Sequence, residues 1–154
     1  MDLLCKWAWL GAETLLMQNG VPVYGGVDKT KIAVVLMTNH GCLEVDKKYQ
    51  ETTNTIASPA LFVYTLPNIM LGEICIRHGF KGEQACFVND RFDVEQLHFW
   101  VNDLLHNRGM EACLCGWVDA VTDDHNISLF WVTKNGGGIP FDTDILQPFS
   151  TSAL

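Results

Sequence analysis

The sequence predicts an α/β fold in which a mixed β-sheet is flanked by helices. Three observations support this: helical segments alternate with short β-branched runs, one run is apolar throughout, and the last two runs are separated only by a polar turn. An unbroken apolar run is typical of a strand covered on both faces. Alternation with helices indicates parallel strands. The length of 154 residues is that of one domain.

The first third of the chain predicts two helices around one strand. Residues 3–18 are broadly apolar and contain no proline, so we expect a helix that ends at Asn19–Gly20. A turn-rich connection over residues 21–30 leads to the strand at 31–38, Lys-Ile-Ala-Val-Val-Leu-Met-Thr. Residues 44–53 are polar and charged, which favours a surface helix.

The middle of the chain predicts a helix, a strand and a second helix. Pro67 suits the first turn of the first helix, which runs to about His78 and stops at Gly79. The segment from Gln84 to Asn89 predicts a strand. The following helix spans Asp93 to Arg108.

Asp93 predicts an N-cap for that helix, with Gln96 three residues later as its capping-box partner. One side of the helix is an apolar stripe at helical spacing. The other side is polar, and we expect it to meet water, because burying it unpaired would cost several kcal/mol. Phe99 and Trp100 are the exceptions, and they predict a remaining contact surface.

The last part of the chain predicts an antiparallel hairpin and a tail. Residues 111–118 and 127–133 have strand character, and the polar turn between them is short. The glycine-rich loop at 134–138 lacks the lysine and the helix of a nucleotide-binding loop, so we expect a flexible connection. We expect one domain over residues 1–139 and a weakly structured tail over residues 140–154.

Composition and charge exclude several classes of function. A net charge of −8 and a pI near 4.9 argue against nucleic-acid binding, which needs a basic surface. No apolar run approaches the length of a membrane-spanning helix. The opening residues 1–13 carry neither a basic region nor a cleavage site. We therefore expect a cytoplasmic protein.

The cysteines and histidines show no metal pattern. The six cysteines contain no Cys-x-x-Cys pair and lie mainly in apolar runs, where thiols behave as small buried hydrophobes. His98 and His106 lie near one helical face but do not complete a zinc site. We expect no metal and no cofactor.

One segment carries a family resemblance. Residues 58–68, Ser-Pro-Ala-Leu-Phe-Val-Tyr-Thr-Leu-Pro-Asn, lead into residues 69–82, Ile-Met-Leu-Gly-Glu-Ile-Cys-Ile-Arg-His-Gly-Phe-Lys-Gly. This run resembles the amino-terminal half of β-ketoacyl synthases (3-oxoacyl-[acyl-carrier-protein] synthases). The resemblance extends from about Leu3 to about Thr133. It implies half of a thiolase-like fold without the family's opening strand and without a counterpart of the second half.

The same resemblance argues against the family's chemistry. In β-ketoacyl synthases, a turn like Gly-Phe-Lys-Gly is followed by a strand and then by a nucleophilic cysteine at the start of a helix. Nine residues after Gly82 stands Arg91, which cannot carry an acyl group as a thioester. The two histidines that assist the reaction belong to the second half. We therefore expect no catalytic residue.

Two residue sets remain as candidate sites. Asn89, Asp90 and Arg91 form either a vestigial, ligand-reading corner at a helix N-terminus or a turn with solvated charges. Cys86 is the nearest thiol, but a mid-strand position offers nothing to lower its pKa, which favours a structural role.

The resemblance also implies a dimer, because a strand of each amino-terminal half in this family continues the partner's sheet. Here that strand is Gln84 to Asn89, and its exposed edge needs covering. The predicted interface residues are Gln84, Cys86, Val88, Phe62 and Tyr64.

The sequence thus predicts an inactive ketosynthase-like scaffold or accessory subunit in fatty-acid or polyketide-type biosynthesis. Its partners would be a second copy or a full-length ketosynthase, with an acyl carrier protein as a further partner. Two alternatives stay open. One is a small acyltransferase or split ketosynthase that uses another thiol. The other is an acyl- or carboxylate-binding module at Arg91, where the cation would pair with a carboxylate.

Overall fold

The computed structural model describes residues 1–150. The helices of this part of the chain are α1 Leu3–Leu16, α2 Leu43–Thr53, α3 Pro59–Val63, α4 Ile69–His78, α5 Val94–His106 and α6 Thr143–Ser150. The strands are β1 Met17–Gln18, β2 Val21–Pro22, β3 Ile32–Thr38, β4 Gln84–Val88, β5 Ala112–Val121 and β6 Asp124–Thr133. The predicted α/β class with a mixed sheet is confirmed.

The main sheet has four strands in the order β4-β3-β5-β6. Strand β3 is parallel to both of its neighbours, while β5 and β6 form an antiparallel hairpin. The hairpin is longer than predicted, because residues 119–121 and 124–126 also pair and leave only residues 122–123 as the turn. Strands β1 and β2 form a separate small antiparallel ladder in the region predicted as a helix end and a turn.

Strand β3 divides the interior into two cores. All seven of its residues are buried, as its unbroken apolar run predicts. Alternate residues point to opposite faces, so Val34 and Leu36 pack with α1 and α4, whereas Val35 and Met37 pack with α5. The sheet is therefore covered by helices on both sides.

The turn from α4 into β4 explains the motif Gly79-Phe80-Lys81-Gly82. Gly79 ends α4 in the left-handed conformation, with φ of 73°, which glycine adopts without strain. Phe80 is buried, and the backbone N–H of Lys81 donates to the Lys29 carbonyl at 2.8 Å. At Gly82 a Cβ atom would overlap the backbone carbonyl of Ile32, so only glycine lets the chain approach β3 this closely.

The start of α4 differs from the expectation. Pro67 lies before α4, whose N-cap residue is Asn68, so placing Pro67 in the first turn was wrong. The helical turn with an N-terminal proline is instead α3, where Ser58 is the N-cap and Pro59 follows it. The Ser58 side chain accepts from the Leu61 N–H at 3.3 Å.

The N-cap of α5 is confirmed, but the capping box is only half formed. The Asp93 carboxylate accepts from the Gln96 backbone N–H at 2.9 Å. The Gln96 side chain does not return to the cap; it accepts from the Asn89 side chain at 2.6 Å instead. On the polar side of α5, Glu95 and His106 are exposed, while Gln96, Asn102 and Asp103 are half-buried.

The expectation of a weakly structured tail after Pro140 is wrong for its described part. Residues 143–150 form α6, and Leu146 is buried against the α5 face of the sheet. Phe149 meets Phe130 edge to face, with 5.1 Å between ring centroids, and Phe141 stacks on His98. The residues that these apolar side chains contact are distant in the sequence, so the sequence did not predict that the segment packs against the sheet. The last four residues of the predicted tail, 151–154, lie outside the described residues.

No helix within residues 1–150 has the length and apolar character needed to cross a bilayer.

Two glycine substitutions test the close approach at Gly82. We expect Gly82→Ala to lower the free energy of unfolding by about 1–3 kcal/mol, because its Cβ forces apart the start of β4 and the backbone of β3. Gly72→Ala is the matched control: nothing lies within 4 Å of its Cβ position on α4, and alanine favours a helix by about 1 kcal/mol. Urea denaturation of both variants gives the comparison. Equal stability of Gly82→Ala and the native protein would contradict the steric explanation.

Candidate functional site

The topology marks one position where a ligand would bind. Strand β3 leads into α2, α3 and α4, and α4 packs on one face, while β4 leads into α5 on the other. The chain therefore leaves the carboxyl ends of two neighbouring parallel strands in opposite directions. In open α/β sheets the crevice at such a point is the usual binding site. The predicted residues Asn89, Asp90 and Arg91 lie at this point.

Asn89 holds the corner in place. Its backbone N–H donates to the Thr38 carbonyl at 2.9 Å, which extends the β3–β4 pairing by one residue. Its side-chain amide donates to Gln96 on α5 and contacts the sulfur of Met37 at 3.6 Å. Through the bond of its amide nitrogen to Gln96, Asn89 positions the start of α5.

Asp90 and Arg91 are both exposed. The next residue, Phe92, is buried and stacks on Trp117, which anchors the loop from the other side. A polar hollow of about 350 Å³ lies here, lined by residues 88–91 and Asp93. Arg91 makes no ion pair with any residue in the described range. A cation at a helix N-terminus is also unfavourable with respect to the helix dipole.

The corner contains no thiol. Cys86 lies on β4 with its side chain packed toward the α4 face, and burial raises its pKa to about 11. Burial also raises the pKa of Cys75 to about 11 and, far more strongly, that of Cys5. At neutral pH these thiols are protonated and therefore poor nucleophiles.

Cys42 is a thiol whose location the sequence did not reveal. It is the N-cap residue of α2, a position that normally lowers a thiol pKa. Here burial dominates, and the nearby carboxylates of Asp2 and Asp46 add to it, so the pKa rises to about 12. No helix N-terminus in the described chain therefore holds an activated cysteine.

A carboxylate that the sequence analysis missed holds the neighbouring loop. One oxygen of Asp119, on β5, accepts from the Thr38 hydroxyl at 3.0 Å, the Asn39 N–H at 3.1 Å and the His40 N–H at 2.8 Å. Its second oxygen accepts from His40 Nδ1 at 2.7 Å. Because a carboxylate only accepts, this bond places a proton on Nδ1. The acceptor of a neutral His40 ring is then Nε2.

These bonds connect the carboxyl ends of three strands, since Thr38 on β3 bonds to both Asn89 and Asp119. The sequence signal for this network was the run Thr38-Asn-His-Gly41, which begins at the last residue of the buried strand. Its partner Asp119 could not be paired with it from the sequence, because the two lie 81 residues apart.

The predicted interface residues of β4 lie on an open edge. Glu83 accepts from the Val34 N–H, and the Asn89 N–H reaches the Thr38 carbonyl, so odd-numbered residues direct their backbone groups at β3. Gln84, Cys86 and Val88 therefore direct theirs away from the sheet. Val88 is 62% exposed, and no other strand of the described chain pairs with this edge.

The other two predicted interface residues differ from each other. Phe62, on α3, is exposed and its ring lies 5.6 Å from that of Tyr49. Tyr64 is half-buried, and its hydroxyl donates to Glu73 at 2.9 Å. Phe62 is thus available to a partner, whereas the Tyr64 hydroxyl already has an internal one. Within residues 1–150, no group of three or more acidic, histidine or cysteine side chains could hold a metal ion.

Comparison with known proteins identifies the fold. No protein-family model and no curated protein matches the chain. Among solved structures, the ishigamide ketosynthase/chain length factor superposes with a TM-score of 0.69 at 21% sequence identity over 79% of this chain. The fold is ketosynthase-like.

A second solved structure has the same fold: the ketosynthase ApeO in complex with its chain length factor ApeC, from Xenorhabdus doucetiae. It superposes with a TM-score of 0.56 at 19% identity over 77% of this chain. The matched regions cover 35% of the first solved chain and 45% of the second. The chain therefore spans less than half of either structure, and the predicted half of a thiolase-like fold is confirmed.

The corner can be tested by two neighbouring substitutions. We expect Asn89→Ala to lower the free energy of unfolding by about 1–2 kcal/mol, because it leaves Gln96 without its donor. Arg91→Ala should change it by less than about 0.5 kcal/mol, since the side chain is exposed and makes no ion pair with a described residue. Chemical denaturation measures both. A larger loss for Arg91→Ala than for Asn89→Ala would show that the two roles are assigned wrongly.

Proposed function

We propose that the protein is a catalytically inactive, ketosynthase-like accessory subunit of fatty-acid or polyketide-type biosynthesis. The observation that carries this proposal is the corner between β4 and α5. There the resemblance expects a nucleophilic cysteine, and the chain has Arg91 on an exposed loop. The nearest thiol, Cys86, is raised to a pKa of about 11 by burial.

The internal bonds of the corner favour a site that has lost its nucleophilic thiol over a site whose thiol has moved by a few residues. Asn89 and Phe92 fasten the loop on both sides of Arg91, so a small shift would not bring a thiol to the helix start. Asp119 occupies its hydrogen-bonding capacity with the loop at residues 38–40. Both features stabilise the frame.

We propose further that the subunit pairs with a ketosynthase through the edge of β4. The free backbone groups of Gln84, Cys86 and Val88 support this pairing, because an added strand would satisfy them. Two solved structures with this fold are a ketosynthase/chain length factor and a ketosynthase in complex with its chain length factor. A homodimer through the same edge is the alternative form of this proposal.

The proposed inactivity predicts that no thioester forms on the protein. After incubation with an acyl thioester or an alkylating condensing-enzyme inhibitor at neutral pH, the intact mass should be unchanged, because the buried thiols with raised pKa remain protonated. A full-length ketosynthase treated in parallel is the positive control. Stoichiometric labelling of one cysteine would overturn the proposal and favour the acyltransferase alternative.

The proposed pairing predicts an effect of proline at Val88. Proline at this position removes an N–H that faces away from β3, so it should weaken association at least tenfold while β4 stays paired to β3. Val88→Thr keeps the N–H and serves as the matched control. Size-exclusion chromatography with light scattering, alone and with candidate ketosynthases, measures association. A strict monomer in every mixture, or equal association of the two variants, would count against the proposal.

A further inference from the structure

One histidine is buried among aromatic rings, away from the corner at Arg91. His78 is the last residue of α4, and its side chain is only 3% exposed. Its ring stacks on Phe80, with 5.3 Å between ring centroids, and meets Tyr24 edge to face at 5.7 Å. A buried imidazole needs polar neighbours for its two nitrogens. Tyr24 faces one nitrogen and Glu13 faces the other.

These two neighbours determine which nitrogen of the neutral ring carries the proton. Nε2 lies 3.6 Å from a carboxylate oxygen of Glu13, on α1. Because an ionised carboxylate only accepts, this neighbour places the proton on Nε2. Nδ1 is then the acceptor, and the Tyr24 hydroxyl donates to it at 3.1 Å. Neutral His78 thus joins α1 and α4 to residues 23–31, the loop between β2 and β3.

A second proton on His78 reverses the bond to Tyr24. Both ring nitrogens of an imidazolium donate, so Nδ1 can no longer accept from the hydroxyl. The hydroxyl would have to turn and accept from Nδ1, and its own proton would lose its acceptor, since no other described group bonds to it. Tyr24 is 9% exposed, so water has little access to this donor. An unpaired buried donor destabilises the closed position of the loop.

The charges around the ring also disfavour the imidazolium. Among the described residues, Glu13 is the carboxylate that faces His78, and Arg77 already binds both of its oxygens, at 3.1 and 2.7 Å. Arg77 and Lys29 are the cations near the ring, and Lys29 Nζ lies 5.8 Å from the centroid of the Tyr24 ring. Burial has the largest effect and lowers the pKa of His78; Glu13 opposes this, and the two cations add to it.

Opening the loop would expose His78 to water, where the pKa of a histidine is about 6.5. The open state therefore takes up a proton more readily than the closed state, in which the pKa is lower. The stabilisation of the closed loop by neutral His78 is complete above about pH 6.5. It is lost as the pH falls from there through the pKa of the closed state. Glu13 stays ionised in this range, because its bond to Arg77 lowers its pKa.

We propose that His78 is a pH-sensitive switch whose protonation ends the donation from Tyr24 and releases the 23–31 loop from α1 and α4. The Lys29 carbonyl of this loop accepts from the Lys81 N–H at 2.8 Å, so the release also loosens the turn between α4 and β4. This switch is independent of the proposed function, because it involves neither Arg91 nor the edge of β4.

Hydrogen–deuterium exchange of the full native chain tests the release. The reporters are the amides of Val23, Val27 and Lys81, which donate to backbone carbonyls in or beside the loop. After correction for the intrinsic rate, their exchange should be roughly tenfold faster at about pH 5 than at about pH 7.5. The amides of β3 should change little, because that strand is buried between its neighbours. An equal acceleration in β3 would mean global unfolding and would contradict a local switch.

Nitrogen-15 NMR of the His78 side chain tests the direction of the bond. We expect a neutral ring protonated at Nε2 above the transition and a doubly protonated ring below it. The midpoint of the loop's exchange transition should coincide with this titration. A neutral ring protonated at Nδ1 would show that the donor and acceptor are assigned wrongly.

Two histidine variants separate the switch from general effects of acid. His78→Gln keeps a polar side chain that does not titrate, so the acid response of the loop amides should disappear. His106→Gln is the matched control, because His106 is exposed on α5, and the response should be unchanged. A response that persists in His78→Gln would exclude His78 as the switch, and so would one that disappears in His106→Gln.

A second pair of variants tests the Tyr24 hydroxyl. Tyr24→Phe removes the donor but keeps the ring, so the loop amides should exchange several-fold faster at neutral pH. Tyr64→Phe is the control, because the Tyr64 hydroxyl donates to Glu73 instead, and it should leave these amides unchanged. Equal exchange in the two variants would contradict the role of Tyr24. The exchange and NMR measurements on the native chain remain decisive if a variant fails to fold.

Discussion

The structure depends on the burial of β3 between two parallel neighbours and two layers of helices. All seven of its residues are inaccessible, so its backbone groups need partners within the sheet. Strands β4 and β5 provide them, one on each side. The side chains of β3 alternate between the core under α1 and α4 and the core under α5. The rest of the fold is arranged to keep this strand covered.

The same strand determines where the candidate site lies. At its carboxyl end, Thr38 bonds to Asn89 on one side and to Asp119 on the other, which draws three strand ends together. The loop between β4 and α5 carries the exposed Arg91, and it is held by the contacts of Asn89 with Gln96 and of Phe92 with Trp117. Burial raises the pKa of the thiols of Cys42 and Cys86.

The two edges of the sheet differ in the surroundings of their free backbone groups. The edge of β4 ends with the exposed Val88, whereas the edge of β6 lies between a stripe of α1 and the carboxyl-terminal segment. The free backbone groups of β4 are therefore open to an added strand.

The sequence by itself determined the elements whose signals are local. The apolar run of β3, the stop at Gly79, the Asp93 cap and the β5–β6 hairpin were all readable, because periodicity, capping and turn chemistry act over a few residues. Only the tertiary structure decided the hydrogen bonds of Asp119 to residues 38–40, the raised pKa of Cys42 and the packing of α6. Each depends on groups far apart in the chain: Asp119 lies 81 residues from Thr38, Cys42 is buried beside Asp2, and Leu146 packs against α5. Burial and partner choice are properties of the assembled core, which no local pattern records.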